Sequence, residues 1–299
     1  MTNYDDNKEY LFNLVFKKSK FQYLREKSIF LTGVTGFLGK WLFDALIFIS
    51  EKNKLNLKVN LLIRKKNTNL DFVDKIKLQY TTLKITFGDI RNFDFPSYDV
   101  DHIIHLASES LMSSLKDSEL AYDVIFKGTK RLTEFSKVTK AESITYLSSG
   151  AVYGKNCLKN FGWKENDPTV PLKRLSTNSY AISKKKAEDV LIESFRLLKT
   201  LKTLNIFRSF SFGGAGFLEE NNFAFDNFIK NKLNNKNIKI ISNGKSKRNY
   251  MHPADLANWL LRTLNFKKIN IINTGSEKNY TIEELAKKIA KFKYESLEF

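Results

Sequence analysis

Short apolar runs alternate with amphipathic stretches over the first two-thirds of the chain. Near-continuous apolar runs bounded by turn residues are typical of strands buried on both faces, and the sequence predicts six of them. They are Ser28–Thr32, Val59–Ile63, Leu83–Phe87, His102–Leu106, Ser143–Ser148 and Asn205–Phe210. The intervening stretches with the apolar period of a helix are Leu38–Ile49, Ser118–Thr139 and Tyr180–Leu198. This alternation predicts an α/β fold with a doubly wound parallel sheet.

Shorter elements fill the last third of the chain. The pattern predicts helices at Ala224–Leu233 and Asp255–Leu264, with a short strand, Ile238–Ile241, between them. Thr281 begins a final helix, because Glu284 three residues later completes a capping box. These elements predict a smaller C-terminal lobe.

The change in rhythm divides the chain into three parts. Residues 28–212 contain the predicted sheet, and residues 213–299 form mainly the smaller lobe, interleaved with the sheet domain. Residues 1–27 have a helical pattern and precede the first strand, so we expect an N-terminal appendage.

The composition is that of a globular protein. Of 299 residues 42% are hydrophobic, with 13 Gly and 4 Pro, which argues against a disordered or fibrous chain. The apolar stretch Trp41–Ile49 is too short to span a bilayer, and Met1–Tyr10 lacks the pattern of a secretory signal. A single cysteine, Cys157, fits a reducing compartment. We therefore predict a cytoplasmic protein that does not bind membranes.

A net charge of +18 favours anionic partners. The lysines are scattered through every segment, and no basic run is interleaved with the aromatic residues that a nucleic-acid groove would need. We therefore predict an anionic metabolite rather than nucleic acid.

A glycine-rich turn follows the first predicted strand. Gly33–Gly39 has the spacing G-x-x-G-x-x-G and leads directly into a helix. Glycines let the backbone approach a pyrophosphate, and the helix N-terminus supplies N–H donors and a positive dipole end. The turn therefore predicts a Rossmann-type site for a dinucleotide cofactor. The predicted contacts are Gly33, Thr35, Gly36, Phe37, Leu38 and Gly39.

The end of the second predicted strand is basic. Dehydrogenases that prefer NAD usually carry an acid there, which holds the ribose hydroxyls. This chain has Arg64, Lys65 and Lys66 instead. Because a guanidinium can bind a 2′-phosphate at two points, the sequence favours NADP(H) over NAD(H). The alternative is an ordinary solvated basic turn.

Tyr180 and Lys184 are four residues apart, which places both side chains on one face of a helix. An ammonium near a phenol favours the phenolate, so Tyr180 could exchange a proton with a substrate hydroxyl. The strand before this helix ends in serines, and its carboxyl end lies at the edge where open α/β sheets bind ligands. The serines at the end of that strand, Ser148 and Ser149, therefore place a hydroxyl at that edge.

Together these motifs resemble the extended short-chain dehydrogenase/reductases, and within them the NAD(P)-dependent sugar-nucleotide epimerase/dehydratase family. Four further segments support the resemblance: Gly88–Ile90, His105–Ser108, Arg248–Asp255 and Asn273–Ser276. Such proteins have a Rossmann domain, here residues 28–212, and a substrate-binding lobe. They commonly dimerise through two helices that correspond to Ser118–Thr139 and Tyr180–Leu198, so the resemblance implies a homodimer.

The resemblance also implies roles for individual residues. Ser149 would hydrogen-bond the reacting oxygen, Tyr180 would be the acid/base, and Lys184 would tune Tyr180 and hold the nicotinamide ribose. Arg248 would bind the diphosphate of a nucleotide-linked sugar. Further expected cofactor contacts are Asp89, Ile90, Leu106, Ala107 and Ser108, and further substrate contacts are Gly150 and Ser211.

Departures from the family pattern narrow the chemistry. Sugar 4,6-dehydratases typically follow the serine or threonine with an Asp-Glu pair, where this chain has Gly150 and Ala151. A C4 epimerase or a 4-keto reductase needs no such pair. Arg64 slightly favours a reductase, because enzymes that consume and release their reductant usually use NADPH. Ile125 and Ser211 stand where the family commonly has asparagines. Dehydration, reduction of a non-nucleotide ketone, and a non-catalytic NADP-binding regulator remain alternatives.

The histidines do not predict a metal site. His102 and His105 are three apart on a strand, so they point to opposite faces and cannot share an ion. His252 lies in the arginine-containing segment. We predict no metal.

Overall fold

A computed structural model describes residues 4–64, 78–154, 162–169, 179–216 and 223–291. Lys65, Lys66 and Cys157 lie outside these residues. Within the described ranges, no helix combines the length and the apolarity that crossing a bilayer would need.

Seven parallel strands form the main sheet. They are β1 (Ser28–Thr32), β2 (Leu57–Ile63), β3 (Thr81–Phe87), β4 (His102–His105), β5 (Ser143–Ser149), β6 (Thr203–Ser209) and β9 (Lys268–Thr274). Their order in the sheet is β3-β2-β1-β4-β5-β6-β9. The predicted α/β fold with a doubly wound sheet is confirmed.

Helices cover both faces of this sheet. They are α1 (Tyr4–Phe16), α2 (Phe37–Asn53), α3 (Leu111–Lys116), α4 (Ser118–Tyr122), α5 (Gly128–Thr139), α6 (Ser179–Leu197) and α8 (Pro253–Arg262). Alternate residues of β1 face opposite layers, as strand geometry requires. Ile29 and Leu31 pack with α1, α2 and α8, whereas Phe30 packs with α5 and α6.

The sequence predicted one helix over Ser118–Thr139, but the stretch is not a single regular helix. A π-helical turn, Asp123–Lys127, joins α4 to α5. The Thr129 hydroxyl donates to the Ile125 carbonyl at 2.6 Å, and so satisfies a carbonyl group inside this turn.

A smaller sheet of three strands packs against two helices. Its elements are β7 (Ser211–Phe212), α7 (Ala224–Leu233), β8 (Lys247–Met251), β10 (Asn279–Thr281) and α9 (Ile282–Lys291). The strand order is β10-β8-β7. The predicted capping box is confirmed, because the Thr281 N–H donates to Glu284 and the Glu284 N–H donates to the Thr281 hydroxyl.

The predicted strand Ile238–Ile241 is wrong. The segment has no regular structure, and only Ile238 packs into the core of the smaller lobe. Ile241 is 99% exposed. An alternation of apolar residues becomes a strand only where another strand pairs with it, and this segment has no such partner among the described residues.

Two elements of the range 213–299 belong to the main layer. β9 extends the large sheet beside β6, and α8 packs on α2 and α1. The N-terminal appendage is anchored there, because Asn258 of α8 donates to the Val15 carbonyl at 3.3 Å. Phe12 of α1 meets Trp41 of α2 edge-on.

Candidate active site

The glycine loop follows β1 and is packed tightly on both sides. Gly33 has φ +78°, and a Cβ there would lie 2.6 Å from the Ala107 nitrogen. A Cβ on Gly39 would lie 2.0 Å from the Gly33 carbonyl oxygen. Glycine at position 33 therefore allows the loop to pack against the end of β4, and glycine at position 39 allows α2 to pack against the loop.

Gly36 has a different environment. It is the N-cap residue of α2 and is exposed, and no side chain of the described residues caps this helix end. A Cβ at Gly36 would find its nearest neighbour, the Gly33 oxygen, at 3.4 Å. The space beside Gly36 is thus open in front of a helix N-terminus, which fits the pyrophosphate of a dinucleotide.

Buried polar groups hold the two strands below this loop together. The Thr32 hydroxyl and His105 Nδ1 are 2.8 Å apart, and the Ala107 N–H donates to the same hydroxyl. His105 Nε2 lies 3.3 Å from the Thr129 hydroxyl. Burial lowers the pKa of His105 to about 3, so this ring is neutral and structural.

Charged side chains gather at the carboxyl ends of β2, β3 and β4. Arg64, directly after β2, forms an ion pair with Glu109 at 3.3 Å. Arg91 donates to both carboxylate oxygens of Asp89, at 2.8 and 2.9 Å, and this pairing lowers the pKa of Asp89. Ile90 is buried between these charges and packs against Gly128. The predicted adenosine end of the cofactor site is therefore polar, with paired charges.

The remaining predicted cofactor contacts line the exit of β4. Leu106 is buried, and Ala107 is the backbone on which Gly33 rests. The Ser108 hydroxyl donates to the Glu109 carbonyl at 2.8 Å. In the loop itself Thr35 is exposed, whereas Phe37 and Leu38 are half-buried.

Ser149, Tyr180 and Lys184 are brought together by β5 and α6. Ser149 is the last residue of β5, and its hydroxyl accepts the Ala151 N–H at 3.1 Å. Tyr180, in the first turn of α6, hydrogen-bonds to Ser149. One helical turn later, Lys184 donates to the Leu147 carbonyl at 2.8 Å and lies over the rings of Tyr146 and Tyr180.

The electrostatics of this group differ from the sequence expectation. Burial raises the pKa of Tyr180, and the hydrogen bond to Ser149 only partly offsets the increase. Burial lowers the pKa of Lys184 to about 7, against the opposing effect of Glu188. The expected lowering of the Tyr180 pKa by Lys184 is thus not seen, because desolvation by burial is the largest cause of the shift and only the hydrogen bond to Ser149 opposes it. Tyr180 keeps its proton at neutral pH, and Lys184 titrates there.

A buried network that the sequence did not reveal lies behind these residues. The Glu188 carboxylate of α6 accepts two hydrogen bonds from the Arg208 guanidinium of β6. It also accepts one from the Ser148 hydroxyl of β5, at 2.5 Å. Arg208 Nη1 also donates to the Tyr153 hydroxyl at 2.9 Å. That hydroxyl in turn donates to Asn273 of β9. The one signal in the sequence was Arg208, a charged residue in an otherwise apolar stretch.

Gly150 lies beside an aromatic ring. A Cβ at this position would be 2.4 Å from Cε1 of Phe210. Phe210 follows β6 directly, so the ring comes from the connection to β7. A carboxylate side chain at position 150 would require this ring to move.

The predicted substrate contacts of the smaller lobe lie on β7 and β8. Ser211 of β7 is half-buried and lies opposite Tyr250. Arg248 is exposed, and its guanidinium donates to the Lys247 carbonyl at 2.8 Å. Gly275, after β9, lies against Asn249, which brings this part of β8 close to the carboxyl edge of the large sheet.

Comparisons with known proteins identify the family. The sequence profile of the NAD dependent epimerase/dehydratase family matches residues 29–275. A UDP-glucuronate 4-epimerase of Thermodesulfobacterium geofontis is 28% identical over 266 residues, which is 83% of this chain and 75% of the relative.

Solved structures that share the fold include two nucleotide-sugar epimerases. One is a UDP-N-acetylglucosamine 4-epimerase from Methanobrevibacter ruminantium, with a TM-score of 0.72 at 22% identity, covering 88% of this chain and 81% of that one. The other is a UDP-glucose 4-epimerase of Thermus thermophilus in complex with NAD, with a TM-score of 0.71 at 21% identity, covering 88% and 82%. The chain is an enzyme of the NAD dependent epimerase/dehydratase family.

Proposed function

We propose that this enzyme is a C4 epimerase of nucleotide-diphosphate sugars. The observation that carries the proposal is the contact of Ser149 with Tyr180 at the carboxyl edge of the sheet, with Lys184 one turn away. The relatives described above are named as 4-epimerases of UDP-linked sugars, which agrees with this reaction.

Each of the three side chains has a defined task. The Ser149 hydroxyl hydrogen-bonds the C4 oxygen of the sugar. Burial favours the protonated phenol, so Tyr180 must first release its own proton to solvent, and its phenolate oxygen then removes the proton from the C4 hydroxyl. The same Tyr180 oxygen returns the proton once the sugar has presented its other face, so the net proton count is zero. The nicotinamide cofactor, when bound, supplies the hydride acceptor and donor at C4. Lys184, in its protonated form, would place a positive charge near the phenol and would contact the ribose of a bound cofactor.

Dehydration is less well supported. Positions 150 and 151 are Gly and Ala rather than acids, and the ring of Phe210 fills the space that a side chain at position 150 would occupy. A 4-keto reductase is the second candidate, since it uses the same three residues. Arg64 favours it, because its guanidinium is 60% exposed at the end of β2 and could bind the 2′-phosphate of NADPH.

For the cofactor we propose NADP(H) in preference to NAD(H). Arg64 supports this choice. Because the Thermus epimerase was solved in complex with NAD, every assay should also include NAD(H). For the sugar nucleotide we propose that Arg248 and Ser211 contact the diphosphate, because both lie on strands of the smaller lobe. A homodimer and a cytoplasmic location stay predictions.

The test combines binding and turnover. Quenching of tryptophan fluorescence measures the affinities for NADPH and NADH, and absorbance at 340 nm follows the cofactor when UDP-linked sugars or 4-keto sugars are added. Tight binding, inverted C4 stereochemistry and no net absorbance change indicate an epimerase. Loss of absorbance that depends on a 4-keto sugar indicates a reductase. Binding of neither cofactor would contradict both.

A further inference from the structure

We propose that Glu109 sets the balance between NADP(H) and NAD(H) by holding Arg64. The inference rests on the proposed cofactor site and adds a residue that no sequence motif indicated. Arg64 Nη1 and Glu109 Oε1 are 3.3 Å apart. The Glu109 side chain is 19% exposed and the Arg64 side chain 60%, so the carboxylate is the more buried partner.

The position of this pair follows from the order of the strands. Arg64 follows β2 directly, and Glu109 lies four residues beyond β4. β1 lies between these two strands in the sheet. The ion pair therefore bridges the carboxyl end of β1, where the glycine loop begins at Gly33, and the adenosine ribose of a dinucleotide bound on that loop must lie beside it.

The neighbouring charges leave Arg64 with Glu109 as its acidic partner. Both carboxylate oxygens of Asp89 already accept hydrogen bonds from Arg91. Asp89 therefore acts on Arg64 only through its charge. Arg64, Arg91, Asp89 and Glu109 together carry no net charge. A 2′-phosphate would bring up to two negative charges into this balanced group.

Glu109 therefore opposes NADP(H) through Arg64. It holds the guanidinium that a 2′-phosphate needs, so NADP(H) binding has to break the ion pair. A free 2′-hydroxyl needs neither group, so NAD(H) binding does not depend on breaking the pair. Because the pair is partly exposed, we expect its removal to change relative affinity by about fivefold rather than by orders of magnitude.

The experiment uses Glu109→Gln, which keeps the shape of the side chain and removes its charge. The Kd values of NADPH and NADH are measured on the full chain by tryptophan quenching. We expect the preference for NADPH over NADH to rise about fivefold, with the NADH affinity changed by less than about twofold. Glu134→Gln is the matched control, because Glu134 pairs with Arg131 at the same 3.3 Å on α5.

The Arg64→Ala background tests whether Glu109 acts through Arg64. We expect Glu109→Gln to leave the NADPH preference unchanged in that background. An equal gain there would overturn the proposal, because Glu109 would then repel the phosphate directly. The proposal would also be overturned if Glu109→Gln alone left the preference for NADPH over NADH unchanged, or if it lowered the affinity for NADH. If the wild type binds neither dinucleotide, the proposed function falls as well; if it binds them and the ratio does not move, only this inference falls.

Discussion

Arg208 and Glu188 form a buried ion pair with two hydrogen bonds, one helical turn beyond Lys184. Nε of Arg208 donates to one carboxylate oxygen at 3.1 Å and Nη2 donates to the other at 2.8 Å. The side chains are 5% and 1% exposed. The pair joins α6 to β6 and, through Ser148, to β5, so it fixes the helix that carries Tyr180 relative to the strand that carries Ser149.

Glu188→Gln should destabilise the protein strongly. The substitution leaves the Arg208 charge buried without its counter-charge, which typically costs about 3–5 kcal/mol of unfolding free energy. Denaturant titration measures the loss. Glu283→Gln is the control, because Glu283 pairs with Lys287 on the surface of α9, and there we expect no measurable change. Equal losses for the two variants would refute the structural role of the buried pair.

Lys184 should make stability depend on pH. Its pKa falls from 10.5 in the unfolded chain to about 7 in the folded one. Between these values the unfolded chain binds more protons than the folded chain, so this residue stabilises the fold above pH 10.5 and the stabilisation is lost as the pH falls towards 7. Wild-type unfolding free energy should rise with pH by at most about 1.4 kcal/mol per unit from this group.

The variant Lys184→Met isolates that contribution. Between about pH 7.5 and 9.5, the wild type should gain roughly 2 kcal/mol relative to this variant, as measured by denaturant unfolding without cofactor. Lys137→Met, at an exposed position of α5, should follow the wild type. Parallel pH profiles for wild type and Lys184→Met would show that Lys184 is not desolvated in the folded protein.

Two glycines of the loop should respond differently to alanine. Gly36→Ala fits the fold, since its Cβ meets its nearest neighbour at 3.4 Å, but its methyl group projects where the pyrophosphate approaches. We expect near-native stability with cofactor affinity at least about tenfold lower. Gly39→Ala places a Cβ 2.0 Å from the Gly33 oxygen and should cost roughly 2 kcal/mol or more. Thermal unfolding and NADPH titration separate the two effects, and the reverse pattern would contradict the loop geometry.

Arg248→Ala should weaken the binding of a UDP-sugar while leaving NADPH binding unchanged. Loss of a charged hydrogen-bond donor to the diphosphate predicts a decrease of about 10- to 100-fold. Calorimetry with the sugar nucleotide and with NADPH measures both affinities. Lys247→Ala is the matched control, because adjacent residues of β8 point to opposite faces. If Arg248→Ala weakened both ligands equally, its assignment to the substrate would be wrong.

The sequence predicted the elements whose signal is local. Ser28–Thr32 is a strand with the predicted bounds, because a continuous apolar run followed by a glycine turn has few other stable conformations. The Thr281–Glu284 capping box is equally local. The grouping of Ser149 with Tyr180 came from the resemblance to the family, and the rule that ligand sites lie at the carboxyl edge of parallel strands supported it.

What the sequence did not reveal depends on contacts between distant segments. Ile238–Ile241 has the alternation of a strand but no strand beside it among the described residues, and Lys268–Thr274 became the seventh strand because β6 offered it an edge. The pairs Glu188–Arg208 and Arg64–Glu109 join residues 20 and 45 positions apart. No spacing rule identifies such partners, and the raised pKa of Tyr180 likewise follows from burial that only the packed fold creates.

The most direct test of the proposed reaction is the configuration at C4 after incubation with UDP-linked sugars and NAD(P), measured by proton NMR. We expect the wild type to convert a UDP-sugar to a mixture of C4 epimers. We expect Tyr180→Phe to bind NADPH with unchanged affinity and to leave the sugar unconverted. Epimerisation by Tyr180→Phe at the wild-type rate would contradict the assignment of Tyr180 as the acid/base, and with it the central claim.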